Sequence, residues 1–364
     1  TTGNITQGSE VAVGGTTTLV TSANDATITL NDADNAFTGA LTITTNDNSG
    51  TDADVIIDGG TTALIIAAST IDGDLTLTSG ATAGITDSGT VTVGGDLAAT
   101  TDAGNGVIDM DQLAVDGSIA LVTEGNGAAT VVNTAAIEFA ASTVRGALTA
   151  TATTGDITDS GTLTITGASI FTTRVGGSNI VLDSSANAFA AAVTMKADTG
   201  GDETFGNITF VDSAAVKLHS SAGTNGDLFI DAGTDLAVGG NLSITATTGN
   251  ITQGSEVAVG GTTTLAASTS NDITLDNTSN NFQGAVLITT ARNINLVNSA
   301  AINLGTSTVS GTYAITATTG DITDSGTLTI TGASVFTTRV GGSNIVLDSS
   351  ANAFAAAVTM KADT

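Results

Sequence analysis

Apolar and polar residues alternate with a period of two along most of the chain. Typical segments are Ala26–Leu30 (ATITL), Ala40–Thr44 (ALTIT), Asp74–Thr78 (DLTLT) and Gly161–Ile165 (GTLTI). Because successive residues of a β-strand point to opposite faces, this pattern predicts strands with one buried, apolar face and one face rich in threonine. Each predicted strand has about five residues and is bounded by Gly, Asn or Asp, which favour turns. No segment shows a convincing helical period.

A start signal, in which Gly, Asn or Asp precedes Ile or Leu, recurs at similar intervals. The steps between these anchors are 23, 28, 20, 23, 22, 21 and 28 residues, from Ile157 through Ile180, Ile208, Leu228, Ile251, Ile273 and Ile294 to Ile322. Three short strands and three turns need roughly 20–24 residues, which is one coil of a three-sided parallel β-helix. The sequence therefore predicts an all-β fold, a right-handed, three-sided parallel β-helix (β-solenoid) of roughly 15 coils, in which the longer steps carry an extra loop.

Two stretches of the chain recur almost unchanged. Residues 151–199 return as residues 316–364, with Val335 in the place of Ile170, and residues 1–19 return as residues 247–265. Copied units of this kind are typical of solenoids, in which each unit buries its apolar face against its neighbours. We expect one continuous solenoid over residues 1–364, made of modules of 71–94 residues. Because both ends fall inside repeats, we also expect the chain to be an excerpt of a longer polypeptide.

Three sequence blocks alternate along the chain. The first starts with Ile-Thr and Gln or Asp, as at Ile5 and Ile157, and the second contains Asn-x-Phe, shortened to Asn281-Phe282 in one copy. The third is Ser-Thr-Val/Ile-x-Gly. We predict that the phenylalanines of the second block stack inside the solenoid as core: Phe37, Phe189, Phe282 and Phe354.

Composition agrees with stacked strands and excludes several classes of protein. The chain has no Pro, Cys or Trp, aromatic residues make up 3%, and hydrophobic residues reach 40%. The apolar content is too high for a disordered chain. The lack of Pro fits strands that are hydrogen-bonded on both sides, since Pro has no backbone N–H. Without Cys there are no disulfides and no thiolate metal sites.

The chain is strongly acidic. Its formal net charge is −28, from 35 acidic and 7 basic residues. Such a surface repels phosphate, so we expect no nucleic-acid partner and no binding to anionic membranes. No apolar run is long enough for a membrane-spanning helix, so no membrane insertion is expected in this segment. Acidity, lack of Cys and long repeats together favour an extracellular or bacterial cell-surface location.

Three segments resemble the repeats of large bacterial surface proteins of the filamentous haemagglutinin type. They are Gly155–Gly167 (GDITDSGTLTITG), Asn271–Val286 (NDITLDNTSNNFQGAV) and Leu304–Gly311 (LGTSTVSG). The resemblance implies a right-handed β-helical shaft, secreted and used in adhesion, biofilm or matrix, and it carries over no catalytic residue. The implied partners are other copies of the fibre or further repeats of the same chain. A carbohydrate-binding or carbohydrate-active β-helix, with glycans or host surfaces as partners, is the alternative.

Paired carboxylates are the candidate metal ligands. Asp32 and Asp34 form one pair, and Asp52 and Asp54 form another. Two acids at positions i and i+2 of a strand share a face and can share a hard cation such as calcium through oxygen ligands. We therefore predict weak calcium bridging at these four residues. The alternative is that they are solvated turn residues, and no other cofactor is expected.

No arrangement of residues in the sequence indicates an enzyme. His219 is the only histidine, and the pattern Val216–Ser220 predicts that it faces outward. Nothing in the sequence places a serine and an aspartate beside it for nucleophilic catalysis. The sequence therefore predicts a structural protein with no catalytic residues.

Polar residues at the anchor turns have two competing explanations. Stacked on successive coils, they would form hydrogen-bonded columns, or each would accept a left-handed turn conformation on its own. Examples are Asn4, Asp156, Asn179, Asn207, Asn250, Asn293, Asp321 and Asn344.

Overall fold

The computed structural model of the protein describes residues 3–46, 53–197, 206–219, 227–230 and 237–362. All regular elements in these ranges are β-strands, stacked in parallel in about 15 coils of a β-solenoid. The prediction of an all-β parallel solenoid is thereby confirmed. The strands fall into two compact units, Thr1–Arg174 and Val175–Thr364.

The described residues of the first unit form 22 strands. They are β1 (Ile5–Thr6), β2 (Ala12–Val13), β3 (Thr17–Val20), β4 (Ile28–Leu30), β5 (Ala36–Phe37), β6 (Leu41–Thr44), β7 (Val55–Asp58), β8 (Leu64–Ile66), β9 (Ser69–Ile71), β10 (Leu75–Ser79), β11 (Ile85–Asp87), β12 (Val91–Val93), β13 (Leu97–Gly104), β14 (Ile108–Val115), β15 (Ser118–Glu124), β16 (Ala129–Asn133), β17 (Ile137–Phe139), β18 (Ser142–Val144), β19 (Leu148–Ala152), β20 (Ile157–Asp159), β21 (Leu163–Ile165) and β22 (Ser169–Thr173).

Two long parallel ladders run through the first unit. One takes in β1, β4, β7, β10, β13 and β15 and continues through β17 and β18 to β20 and β21. The other runs from β3 and β6 through β8 and β9 to β22, and β2 pairs with β5. Ile5 faces Ile28 and Leu75 faces Leu97, which are steps of 23 (28 − 5) and 22 (97 − 75) residues. The predicted coil length is therefore correct in this unit.

The second unit contains the remaining described strands. They are β23 (Ile180–Leu182), β24 (Ala188–Phe189), β25 (Val193–Lys196), β26 (Ile208–Asp212), β27 (Val216–His219), β28 (Asp227–Ile230), β29 (Ala237–Val238), β30 (Leu242–Ala246), β31 (Ile251–Gln253), β32 (Ala258–Val259), β33 (Thr263–Ala267), β34 (Ile273–Leu275), β35 (Asn281–Phe282), β36 (Ala285–Ala291), β37 (Ile294–Asn298), β38 (Ile302–Val309), β39 (Tyr313–Ala317), β40 (Ile322–Asp324), β41 (Leu328–Ile330), β42 (Ser334–Thr338), β43 (Ile345–Val346), β44 (Ala353–Phe354) and β45 (Val358–Ala362).

The register of the second unit corrects three of the predicted anchor steps. Ile294 faces Tyr313, 19 residues on (313 − 294), so the predicted step from Ile294 to Ile322 is wrong. Ile322 instead faces Ile302 and Ile345. Ile302 starts a long strand after Ala300 and Ala301, without the Gly, Asn or Asp that marks the other starts, so the sequence signal does not reveal it. The steps from Ile208 to Leu228 and from Leu228 to Ile251 are also wrong, because Ile208 faces Leu242 and Ile251 faces Val216.

The core is a narrow column of aliphatic side chains with a few stacked rings. Phe37, Phe189 and Phe282 are buried, as predicted, whereas Phe354 is half-buried. Phe139 meets Phe171 edge-on at 6.1 Å between ring centroids. Burying such a side chain contributes roughly 1.5–3 kcal/mol, so stability accumulates coil by coil along the axis.

The polar residues at the anchor turns form hydrogen-bonded columns. Asn207 donates its backbone N–H and its side-chain amide to Asn179 Oδ1, at 2.9 and 2.8 Å. Thr312 likewise donates its backbone N–H to Asn293 Oδ1 at 2.8 Å. Among the described non-glycine residues, only Asp25 and Asn105 have a positive φ, so a left-handed conformation does not explain the anchor residues. Most column bonds join a side-chain oxygen to the backbone N–H of the next coil.

Candidate functional site

The part of the chain described by the structure does not assemble a metal centre. No group of three or more His, Cys, Asp or Glu side chains is placed to hold a metal ion among these residues. His219 ends β27, and its side chain lies outside the described part. Within the described ranges no helix is long and apolar enough to cross a membrane.

The predicted carboxylate pairs lie in turns and at strand starts. Asp32 and Asp34 occupy the turn between β4 and β5, where Asp32 Oδ1 accepts the backbone N–H of Asp34 at 3.0 Å. Asp54 precedes β7, and its Oδ1 accepts the backbone N–H of Asp74 at 2.9 Å. Asp52 lies outside the described residues. At least one carboxylate oxygen of both Asp32 and Asp54 is therefore used by the fold.

A shallow acidic depression lies on one row of turns in the first unit. It has a volume of about 250 Å³ and is lined by Ala33, Asp58, Gly60, Thr61, Gly80 and Asp102. Burial raises the pKa of the Asp58 carboxyl, and repulsion from Asp102 and Asp32 acts in the same direction. The backbone N–H of Gly60, which donates to Asp58 Oδ1 at 2.8 Å, opposes the rise. Among the described residues, this depression is one candidate for a small-molecule or cation contact.

A second acidic group surrounds Asp87. Its carboxylate accepts the backbone N–H groups of Gln112 at 2.8 Å and Asp111 at 3.3 Å. Burial raises the pKa of Asp87, and the nearby charges of Asp111 and Asp109 add to the rise. Asp109 and Asp111 project outward from β14, so this pair, unlike Asp32 and Asp34, does share one face of a strand.

Carboxylates also form a column across successive coils. Asp74 donates its backbone N–H to Asp54, Asp96 to Asp74, and Ser118 to Asp96, at 2.9, 2.7 and 2.6 Å. Each carboxylate thereby accepts a backbone N–H of the next coil, as the side-chain oxygen of Asn does elsewhere in the chain. These acids hold one coil to the next, which is a structural use of negative charge.

A buried amide cage that links neighbouring coils occurs in each unit. Asn35 Oδ1 accepts the backbone N–H of Val11 at 2.8 Å and the Gln7 amide at 2.9 Å, and its Nδ2 donates to the Leu30 carbonyl at 3.1 Å. Asn280 and Gln253 repeat this geometry in the second unit. The predicted shortened motif Asn281-Phe282 is therefore wrong, because Asn280 occupies the buried position. The cage joins the first and second sequence blocks.

The third sequence block also has a structural explanation. Ser142 Oγ accepts the backbone N–H of Leu121 on the previous coil at 3.0 Å and donates to the Ala140 carbonyl at 2.9 Å. Ser69 and Ser307 make the corresponding bonds. A hydroxyl in the core wall thus links neighbouring coils where the strand direction changes.

One buried corner carries an acid where its counterparts carry an amide. Asn133 and Asn298 end their strands fully buried, and each accepts a backbone N–H of the previous coil at 2.9 Å. Asp212 ends β26 in the same way, 2% exposed, and accepts the backbone N–H of Phe189 at 3.4 Å. Burial raises the pKa of the Asp212 carboxyl against the opposing hydrogen bonds from Phe189, Ala214 and Ser213.

We expect Asp212→Asn to stabilise the second unit at neutral pH. A carboxyl whose pKa is higher in the folded than in the unfolded chain contributes stability below its unfolded pKa, and this contribution is lost as pH rises through the folded pKa. The gain from the amide should therefore be greatest at neutral pH and vanish below about pH 3.9, the usual aspartate value. Urea denaturation of parent and variant at several pH values measures it. An equal difference at all pH values would contradict the assignment.

The basic residue Arg292 belongs to one of the anchor columns through its contact with Asp272. Arg292 forms a two-pronged ion pair with Asp272, with Nε to Oδ1 at 2.8 Å and Nη2 to Oδ2 at 2.7 Å. Hydrogen bonds from this guanidinium lower the pKa of the half-buried Asp272 carboxyl. Asn293 also donates its amide to Asp272 Oδ1 at 2.9 Å, so the pair belongs to an anchor column.

The sequence analysis did not predict the two acids of the depression or the buried acid at the end of β26. Asp58 and Asp102 come together only because their turns stack, although the Asp58-Gly59-Gly60 turn was a visible signal. Asp212 was not predicted because its role, accepting a backbone N–H of the previous coil at a buried strand end, depends on the fold. The fold places it where Asn133 and Asn298 lie in other coils.

Comparison with known proteins gives a family without an activity. Searches of curated proteins and of solved structures found no match. The sequence profile of Repeats of unknown function (DUF5649) matches five times, over residues 1–44, 52–123, 126–196, 205–289 and 291–361. These matches cover most of the chain, and each corresponds to several stacked strands of the solenoid. The chain therefore belongs to the family of Repeats of unknown function (DUF5649).

Proposed function

We propose that this chain is a structural segment of an extracellular bacterial fibre, an adhesin stalk or a biofilm-matrix filament, of the filamentous haemagglutinin type. The observation that carries the proposal is the use made of polar side chains. The amides of Asn35 and Asn280, the carboxylates of Asp54, Asp74 and Asp96, and the core serines bond one coil to the next. A chain organised in this way adds length and stiffness with every repeat.

The second candidate is a carbohydrate-binding or carbohydrate-active solenoid. It is favoured by the acidic depression, because glycoside-cleaving enzymes use a pair of carboxyl groups of which one has a raised pKa. Asp58, with its raised pKa, and Asp102 line that depression. Against this candidate, the depression is shallow and lined by glycine and alanine, without an aromatic ring to stack on a sugar.

Two measurements separate the candidates. Immunogold labelling of intact producing cells, with and without surface proteolysis, is expected to mark filaments outside the cell that are lost on proteolysis. A panel of acidic and neutral glycans is expected to show no turnover. Turnover of any glycan that Asp58→Asn abolishes would replace the structural proposal with the enzymatic one, and label confined to the cell interior would exclude the extracellular fibre.

We also propose that calcium bridges carboxylates on neighbouring fibres. With a net charge of −28, copies repel each other over roughly 10 Å at about 0.1 M salt. Calcium, which prefers carboxylate oxygens, should raise light scattering more than sodium at equal ionic strength. The variant Asp32→Asn/Asp34→Asn should reduce this increase, whereas Asp272→Asn, which removes an acid already paired with Arg292, should not. Equal scattering in calcium and sodium would show that the acidity serves only solubility.

A further inference from the structure

A short motif recurs at three buried corners of the solenoid, and it carries an acid in one copy only. It reads VNTAA at residues 132–136, VDSAA at residues 211–215 and VNSAA at residues 297–301. Asn133 and Asn298 are 0% exposed and Asp212 is 2% exposed. The same local chain therefore holds a buried amide at two corners and a buried carboxyl group at the third.

At the two amide corners the side-chain nitrogen donates to backbone carbonyls. Asn298 Nδ2 lies 2.8 Å from the Ala301 carbonyl oxygen and 3.3 Å from that of Phe282. Asn133 Nδ2 lies 2.7 Å from the Ala136 carbonyl oxygen. In both corners, the amide thus donates to the carbonyl of the third residue after it and holds the turn closed.

The acid corner has the same backbone frame. Ser213 donates its backbone N–H to the Asn187 carbonyl at 2.7 Å, and Thr247 donates its backbone N–H to the Asp212 carbonyl at 3.0 Å. The equivalent bonds at Asn298 measure 2.7 and 2.8 Å. One carboxyl oxygen therefore takes the place of the amide oxygen. The other takes the place of the amide nitrogen and faces the carbonyl of the third residue after it.

An ionised carboxyl group cannot make the second of these contacts. A carboxylate is an acceptor only, whereas a protonated carboxyl group has an O–H to donate. Phe189 and Ala214 donate their backbone N–H groups to Asp212 Oδ1 at 3.4 Å each. These bonds are longer than the 2.9 Å bond that Asn298 Oδ1 accepts. This looser hold is expected where a carboxylate oxygen meets a carbonyl oxygen.

The spacing favours a proton over a metal ion between these two oxygens. At the amide corners the donor and the carbonyl oxygen are 2.7 and 2.8 Å apart, the usual length of an O–H···O bond. Calcium needs about six to eight oxygens at about 2.3–2.6 Å each, so it would force the two oxygens further apart.

We propose that Asp212 is a proton switch. The protonated carboxyl group donates to the Ala215 carbonyl and closes the corner, and loss of the proton opens it. This goes beyond the proposed function, because it concerns the conformation of one corner, whatever the fibre does.

The direction of the switch follows from the surroundings of Asp212. On the described elements that pair with or adjoin β26, the titratable residues are Asp183 after β23, Lys196 on β25, and Lys217 and His219 on β27. Burial raises the pKa of Asp212, against hydrogen bonds from backbone N–H groups. A carboxyl group whose folded pKa is raised stabilises the closed form at low pH, and this contribution is lost as pH rises through the folded pKa.

Hydrogen exchange measured by mass spectrometry on the whole chain tests the switch. Exchange rates, corrected for the intrinsic effect of pH, are compared between residues 212–216 and the equivalent residues 298–302. In the parent chain, opening of 212–216 should increase by up to about tenfold per pH unit from about pH 3.9 to the folded pKa of Asp212, and then level off. Residues 298–302 should show no such increase.

Exchanging the two side chains gives matched controls. Asp212→Asn should remove the pH dependence at 212–216, and Asn298→Asp should create it at 298–302. His219→Asn should leave the dependence unchanged, although histidine titrates nearby in pH. An increase that persists in Asp212→Asn would overturn the proposal whether or not Asn298→Asp folds, and so would an increase that disappears in His219→Asn. Protection restored at pH 7 by calcium would also overturn it, since a metal ion would then occupy the corner.

Discussion

Replacing Asn280 with alanine is expected to lower the free energy of unfolding of the second unit by about 3 kcal/mol or more. The side chain is fully buried, and its oxygen accepts the Val257 N–H and the Gln253 amide, both at 2.8 Å. Its Nδ2 donates to the Leu275 carbonyl at 3.1 Å. Each buried polar group left without a partner costs about 1–3 kcal/mol, and this change leaves several. Urea denaturation followed by circular dichroism measures the loss.

Matched variants separate the cage from a general effect of losing asparagine. Asn35→Ala should cause a similar loss in the first unit, since Asn35 has the same partners there. Asn295→Ala removes an exposed side chain from the same unit as Asn280 and should stay within about 0.5 kcal/mol of the parent. If Asn280→Ala were as mild as Asn295→Ala, the cage would not be a principal source of stability.

Gly84→Ala is expected to destabilise the first unit by about 3 kcal/mol or more. Gly84 has a φ of +67°, and a Cβ there would clash with the carbonyl oxygen of Val107 on the next coil. A left-handed conformation costs an L-residue about 1–2 kcal/mol, and forcing atoms into a packed region costs a further 1–3 kcal/mol, about as much again. The loss should appear as a lower urea midpoint.

Two other glycines divide this effect into its parts. Gly342 has a φ of +87°, and a Cβ added there would meet no atom within 4 Å, so Gly342→Ala should show the conformational cost alone. Gly8 has neither a positive φ nor a close neighbour, so Gly8→Ala should be nearly neutral. An effect of Gly84→Ala no larger than that of Gly342→Ala would mean that neighbouring coils are not packed as closely as described.

The fold could be predicted from the sequence because every coil repeats the same alternation of apolar and polar residues. Alternating residues such as Leu75, Thr76 and Leu77 give a strand with one buried face, and the observed burial follows the alternation. The spacing of the anchors gave the wrong pairing where a strand begins without a turn residue before it, as at Ile302. The pairing of Ile294 with Tyr313 then depends on how tightly one coil closes, which local pattern does not record.

The candidate site was less predictable because it depends on which turns stack. Asp32 and Asp34 were predicted to bridge calcium because they are close in sequence. In the structure, Asp32 accepts a hydrogen bond within its own turn. Asp58 and Asp102 are far apart in sequence and meet only across coils. The pKa of Asp58 rises through burial, a property of the assembled turns that composition and spacing do not reveal.

The central claim is the parallel register between neighbouring coils, and engineered disulfides test it most directly. Thr76 faces Ala98, and both side chains point outward. In the variant Thr76→Cys/Ala98→Cys the two positions lie within the range of about 4.4–6.8 Å that a disulfide spans, whereas in Thr76→Cys/Thr100→Cys they are diagonal neighbours about 7–8 Å apart. Mild oxidation should cross-link the first variant rapidly and in high yield, and the second slowly or not at all. Equal yields, or preferential cross-linking of the second variant, would contradict the stacked-coil account.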